Sequence, residues 1–181
     1  KWLRDQLGLV VQSADTESMA RSVADNGGVY LLPAFSGMGA PHWKMDAKAA
    51  IVGLTFGSSK EHVVRAALES VAFQIKDVIE AMQQDSGTPL VELKVDGGMT
   101  ASRFLMQLMA DLLGVRVVAS GLEEVSALGA AYMAALGSGA IEGLADLSAL
   151  SRDQITFEPS GSAGRIQEDY ETWRQMIDKH C

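Results

Sequence analysis

The chain has 181 residues, 48% apolar and 21% charged, with a formal net charge of −8; this suits one soluble globular domain and excludes a disordered or fibrous chain. Acidic side chains outnumber scattered basic ones 23 to 15, which excludes a general nucleic-acid binder. The single cysteine, Cys181, excludes an internal disulfide framework and a cysteine-based zinc cluster, and with no membrane-length apolar run and no signal-peptide core after Lys1-Trp2-Leu3-Arg4, a cytoplasmic location is expected.

Trp2, Leu3 and Leu7 share one helical face and Gly8 stops it. The chain opens inside this pattern without Met, so a piece of a longer protein is expected. A short helix follows, with Thr16 as N-cap, Glu17 in its first turn and Asn26-Gly27-Gly28 as its exit. Residues 29–32 read as a strand, and residues 33–46 as an ordered loop of glycines and prolines held by Phe35 and Trp43. A second strand spans 50–55. Ser58 and Glu61 have capping-box spacing at the start of the longest helix, whose buried stripe is Val64, Leu68, Val71, Ile75, Val78, Ile79 and Met82. Gly87 and Pro89 end it.

Next come a strand (90–95), a tight turn (96–100), a helix (102–113) and another strand (115–119), the spacing of a right-handed parallel βαβ crossover. A helix over 126–136 is so rich in Ala and Gly that close packing against its neighbours is expected. Residues 138–164 are rich in Gly, Ser and Asp with one apolar patch, and a last helix over 165–180 carries Tyr170, Trp173, Met176 and Ile177 for docking onto the body. With no internal repeat or linker, residues 1–181 form one domain.

Ligands of open α/β sheets gather at the carboxyl ends of parallel strands, where this chain carries Asp96-Gly97-Gly98. Paired glycines expose successive N–H groups, the following helix adds a positive dipole end, and Thr100 or Ser102 offers a hydroxyl, so the turn suits a phosphate or the edge of a nucleoside. A Gly-Gly pair also serves simply to bend a chain sharply, and both readings stand on these residues alone. Neither Gly-x-Gly-x-x-Gly nor Gly-x-x-x-x-Gly-Lys-Ser/Thr occurs at the turn. Asp96 is expected to accept backbone N–H bonds rather than act as a base.

Three segments together carry a resemblance. Asn26 to Tyr30 and Leu32 to Trp43 resemble a loop containing Pro-Ala-Phe-x-Gly-Leu-Gly-Ala-Pro-Tyr-Trp; Ala49 to Leu54 with His62 to Glu69 fits a carboxyl-terminal signature; Val95 to Thr100 with Glu123 to Ala131 is similar to an adenosine-binding motif and the helix after it. The family is that of the FGGY carbohydrate kinases, nearest their glycerol kinase branch. The resemblance implies an α/β fold of the ribonuclease-H-like, actin-like ATPase superfamily, here partial, with a parallel βαβ core and flanking helices. It implies a carboxyl-terminal nucleotide-binding domain facing an amino-terminal kinase domain across a cleft. Phosphorylation of a polyol by ATP, most simply glycerol to glycerol 3-phosphate, is the implied reaction. Gly97 and Gly98 would meet the phosphates, with Ser102, where the family usually has Asn, and Lys1, where it usually has Gln, near the adenosine.

The resemblance places the catalytic base and the residues near Mg²⁺ upstream, so no catalytic or metal residue is expected in this segment, which alone is expected to be inactive. ATP or ADP, a polyol, the amino-terminal domain and further copies in a homo-oligomer are the expected partners; nucleic acid and membrane are not. His42, a Tyr in many glycerol kinases, also fits the Pro-His-Trp of xylulose kinases. Alternatives are a xylulose or other carbohydrate kinase of the family, and a non-catalytic nucleotide-binding or interaction module.

Overall fold

A computed structural model describes residues 1–121, 125–148 and 154–181. In chain order it contains α1 (Trp2–Asp5), α2 (Asp15–Ser22), β1 (Tyr30–Leu32), β2 (Ala50–Val52), α3 (Lys60–Ser86), β3 (Glu92–Val95), α4 (Arg103–Leu113), β4 (Arg116–Ser120), α5 (Val125–Gly137), α6 (Leu144–Ser148), β5 (Gln154–Phe157) and α7 (Ala163–His180). β1 and β2 form an antiparallel pair. The second sheet has the order β3-β4-β5, with β3 and β4 parallel and β5 antiparallel to β4. The expected parallel strand–helix–strand unit is therefore present, and β5 is an addition.

The core lies where α4 and α7 meet α3 and the two sheets. Leu105, Met106 and Met109 of α4, Phe73 of α3 and Trp173, Tyr170 and Ile177 of α7 are all buried there. Phe73, Tyr170 and Trp173 form an aromatic cluster with centroids 5.5–6.4 Å apart. The Trp173 indole N–H donates to the Leu31 carbonyl at 2.8 Å, so α7 docks on β1 with its one polar atom satisfied.

Several local expectations are corrected. Thr16 lies inside α2, which Ala14 precedes, and its hydroxyl donates to the Ser13 carbonyl. The N-cap of α3 is Ser59, whose N–H donates to His62 Nδ1 at 3.1 Å, while the Ser58 hydroxyl accepts the Thr55 N–H. The buried face of α3 is rotated from the expected stripe: Val78 and Met82 are exposed, and Glu69, Ser70, Phe73 and Asp77 are buried. On α5 no described side chain is buried, against the expected close packing; Leu128, Tyr132, Ala135 and Leu136, on one face, are half-buried. Glu123 and Glu124 of the third matched segment lie outside the described residues.

Candidate nucleotide-binding bend

β3 and β4 end side by side, and the chain leaving β3 turns at Gly97, whose backbone sits at φ 89° and ψ 176°. Only glycine is at ease there. A 3-10 turn over Gly98–Ala101 leads straight into α4. Thr100 holds the bend from inside: its N–H and its hydroxyl both donate to the Gly97 carbonyl, at 3.0 and 2.7 Å.

The glycines of this chain fall into different kinds. A Cβ on Gly37 would collide with the Met45 backbone and one on Gly53 with the Gly28 carbonyl, so close approach fixes both as glycine. At Gly97 the positive φ is the reason. Gly98 has neither, since its φ lies outside the left-handed region and a Cβ there would meet nothing within 4 Å. Nothing in the chain's own packing demands a glycine at Gly98, and the space beside it is open.

Ser102 is the N-cap of α4, and its hydroxyl accepts the Leu105 N–H at 3.3 Å. The amide of Arg103, the first residue of that helix, donates to Glu17 Oε2 at 2.9 Å. Two amides of the helix start that could have served an anion are thus already occupied. This contact between α2 and α4 was beyond sequence reasoning, because its partners are 86 positions apart and neither belongs to a motif. Asp96 is exposed and, among the described residues, accepts none of the N–H bonds expected of it. Gly97, Gly98 and Ser102 therefore share one bend, whereas Lys1 stands exposed at the head of α1, whose Trp2 packs edge-on against Phe35 at 4.9 Å.

Behind the site lies a charged frame. Arg65 Nε pairs with the buried Glu69 at 2.8 Å, and Arg65 Nη1 donates to the carbonyls of Ala20 and Val23 at the end of α2. Asn26 Nδ2 donates to the other Glu69 oxygen at 3.0 Å. Burial pushes the Glu69 carboxyl above its usual range, and the Arg65 guanidinium opposes that rise.

A second network pins the loop over 33–46. His42 Nε2 lies 2.6 Å from Asp77 Oδ2, and the Tyr170 hydroxyl donates to Asp77 Oδ1 at 2.6 Å and to Glu80 at 3.0 Å. Burial first, then the Asp77 carboxylate, drives the Tyr170 hydroxyl far above the ordinary phenolic value. His42 is thus turned inward as a pin between loop and helix. A cavity of about 470 Å³ lined by Trp43, Met45, Lys48 and His180 gathers none of the bend residues. Among the described residues no cluster of three His, Cys, Asp or Glu side chains is arranged to hold a metal ion, and no helix is long and apolar enough to cross a membrane.

Residues 1–138 match the carboxyl-terminal domain model of the FGGY family of carbohydrate kinases. A glycerol kinase of Desulfitobacterium hafniense is 49% identical over 177 residues, covering 98% of this chain and 36% of that protein. One from Acaryochloris marina is 45% identical over 179 residues, covering 99% and 36%. Among solved structures, Plasmodium falciparum glycerol kinase with ADP superposes with a TM-score of 0.84 at 30% identity, covering 99% of this chain and 36% of that one. Xylulose kinase from Rhodospirillum rubrum gives 0.75 at 29% identity, covering 98% and 36%. The chain thus spans about a third of the length of the relatives it matches.

Proposed function

The chain belongs to the FGGY family of carbohydrate kinases, and on that premise we propose that it forms the ATP-binding side of an ATP-dependent polyol kinase whose acceptor is glycerol. Identity of 45–49% to glycerol kinases over 98–99% of this chain favours glycerol over another sugar or polyol. The relative solved with ADP supports a nucleotide as the ligand.

One observation carries the placement: Gly98 needs to be glycine for no reason internal to the chain, and it follows a strand whose carboxyl end adjoins that of a parallel neighbour. Bared N–H groups at Gly98 and Met99, with no Cβ on the first, suit a phosphate that must approach the backbone closely. Ser102 lies four positions beyond, at the nucleoside end of the bend. Lys1 joins the site through α1 only if the complete protein brings α1 toward the nucleotide.

Phosphoryl transfer asks a protein chiefly for in-line positioning and charge stabilisation, and a cleft closing between two domains supplies both while excluding water. This chain binds and orients the nucleotide. On this reading the general base and the residues that would hold Mg²⁺, the ion that would neutralise the phosphate charge, lie in the amino-terminal domain. A cytoplasmic enzyme that assembles as a homo-oligomer fits this reading. The isolated chain phosphorylates no glycerol.

The test is Gly98→Val in the complete enzyme, with ATP affinity measured by calorimetry. The side chain fills the open space beside the bend, and affinity falls roughly tenfold or more, the scale of a lost charge-assisted hydrogen bond. Unchanged affinity removes the bend from the site.

A further inference from the structure

Resting on the nucleotide reading of the bend, we infer that Glu17 is a positioning residue for the nucleotide, acting through the peptide that joins Ser102 to Arg103. Ser102 already caps α4 with its own hydroxyl. The second acceptor comes from another helix, and what it holds is the Arg103 N–H, the amide of the peptide that carries the Ser102 carbonyl. Glu17 therefore fixes the exit of the bend as Thr100 fixes its interior.

The Glu17 carboxylate is itself oriented. Its Oε1 accepts Arg21 Nε at 2.9 Å on the same face of α2, and it is one-quarter exposed. The guanidinium carbons of Arg21 and Arg65 lie 5.7 and 5.3 Å from the centroid of Phe104, the second residue of α4. Arg65 also bonds the end of α2 to α3. A continuous line of contacts thus runs from the Arg65–Glu69 pair of the matched signature, through α2 and Glu17, to the bend. It gives that signature a task away from the ligand: holding α2 so that Glu17 meets α4.

Electrostatics adds a direction. A carboxylate on the first amide of α4 occupies the positive end of the helix dipole and repels a second anion there. The phosphates are left to the Gly98 and Met99 amides, and the uncharged nucleoside end takes the place beside Ser102.

The experiment uses steady-state kinetics of the complete enzyme with ATP and glycerol varied separately. Glu17→Ala raises the KM for ATP roughly tenfold, the scale of one hydrogen bond to a charged group, and leaves the KM for glycerol unchanged. Glu17→Gln, which keeps an acceptor oxygen for Arg103, restores the KM for ATP to within about twofold of the parent. An unchanged KM for ATP, or an equal rise in both constants, overturns the assignment. Should the Ala variant fail to fold, Arg21→Ala decides, because it loosens the carboxylate without removing it: a KM for ATP raised about two- to threefold supports positioning, and an unchanged one refutes it. Gly98→Val in parallel separates the two readings. If it weakens ATP while Glu17→Ala does not, only the role of Glu17 falls; if neither matters, the nucleotide reading of the bend falls with it.

Discussion

Helices α4 and α5 are both dominated by apolar or small side chains, yet they sit differently in the molecule. Six of the eleven residues of α4 are buried, among them Leu105, Met106 and Met109, because α3, α7 and the sheet enclose it. On α5 no described side chain is buried, and Met133 is 57% exposed. Apolar content alone does not place a helix in the core. What distinguishes α4 is segregation: large side chains fall on one side, with Arg103, Gln107 and Asp111 outside that set. α5 gathers Leu128, Tyr132 and Leu136 on one face but only half-buries them, and its other positions are mostly Ala and Gly.

That contrast is open to attack by mutation, most forcefully at α4. Leu105→Ala leaves a cavity in an enclosed site, and stability measured by denaturant unfolding falls by about 3–4 kcal/mol. Arg65→Met, at the guanidinium beside α4's Phe104, strands the buried Glu69 carboxylate and costs about 3 kcal/mol at neutral pH. The folded state raises the Glu69 pKa above its ordinary 4.5, so the carboxyl binds its proton more tightly folded than unfolded. Its contribution is therefore most favourable below about pH 4.5 and is lost as pH climbs through the raised value. Unfolding curves at several pH values will show the cost of Arg65→Met shrinking toward the acid end.

Tyr170→Phe, on the helix that covers α4, removes the bonds to Asp77 and Glu80 and costs roughly 1–2 kcal/mol. The unfolded tyrosine ionises near its ordinary value of 10.0 whereas the folded one holds its proton, so parent stability falls as pH rises past that point. The Phe variant loses this share of the alkaline decline. Smallest is Met133→Ser on α5, which shifts the stability of this chain by no more than about 0.5 kcal/mol. A loss above 2 kcal/mol would abolish the distinction between the two helices.

Much of the fold was legible where local chemistry decides it. Gly97 and Gly98 marked the bend, Gly87 the end of α3, and the apolar runs around them the parallel β3–α4–β4 unit. Legibility failed where distant partners decide. Glu69 and Asp77 are not part of the expected buried stripe of α3, yet Arg65 and Asn26 satisfy the first, and His42 and Tyr170 the second, so both are buried and the inner face rotates. The capping box was displaced by one residue because His62, which is not the usual Glu or Gln, supplies the acceptor. β5 was not read as a strand, since four residues alternate too briefly to declare one. Around the candidate site, the bend and the start of α4 near Ser102 were readable, but the carboxylate that reaches Arg103 from α2 was not.

The hydrogen bond from Trp173 to Leu31 joins residues 142 positions apart. The core over β1 therefore cannot close until the segment forming α7 has cleared the ribosome, and Leu32, Phe73 and Leu105 wait for that lid during synthesis. For that interval the nascent chain shows a greasy, open surface, an opportunity for a chaperone and a hazard for self-association. Helix α7 thereby sets when this core is covered as well as how firmly it is held.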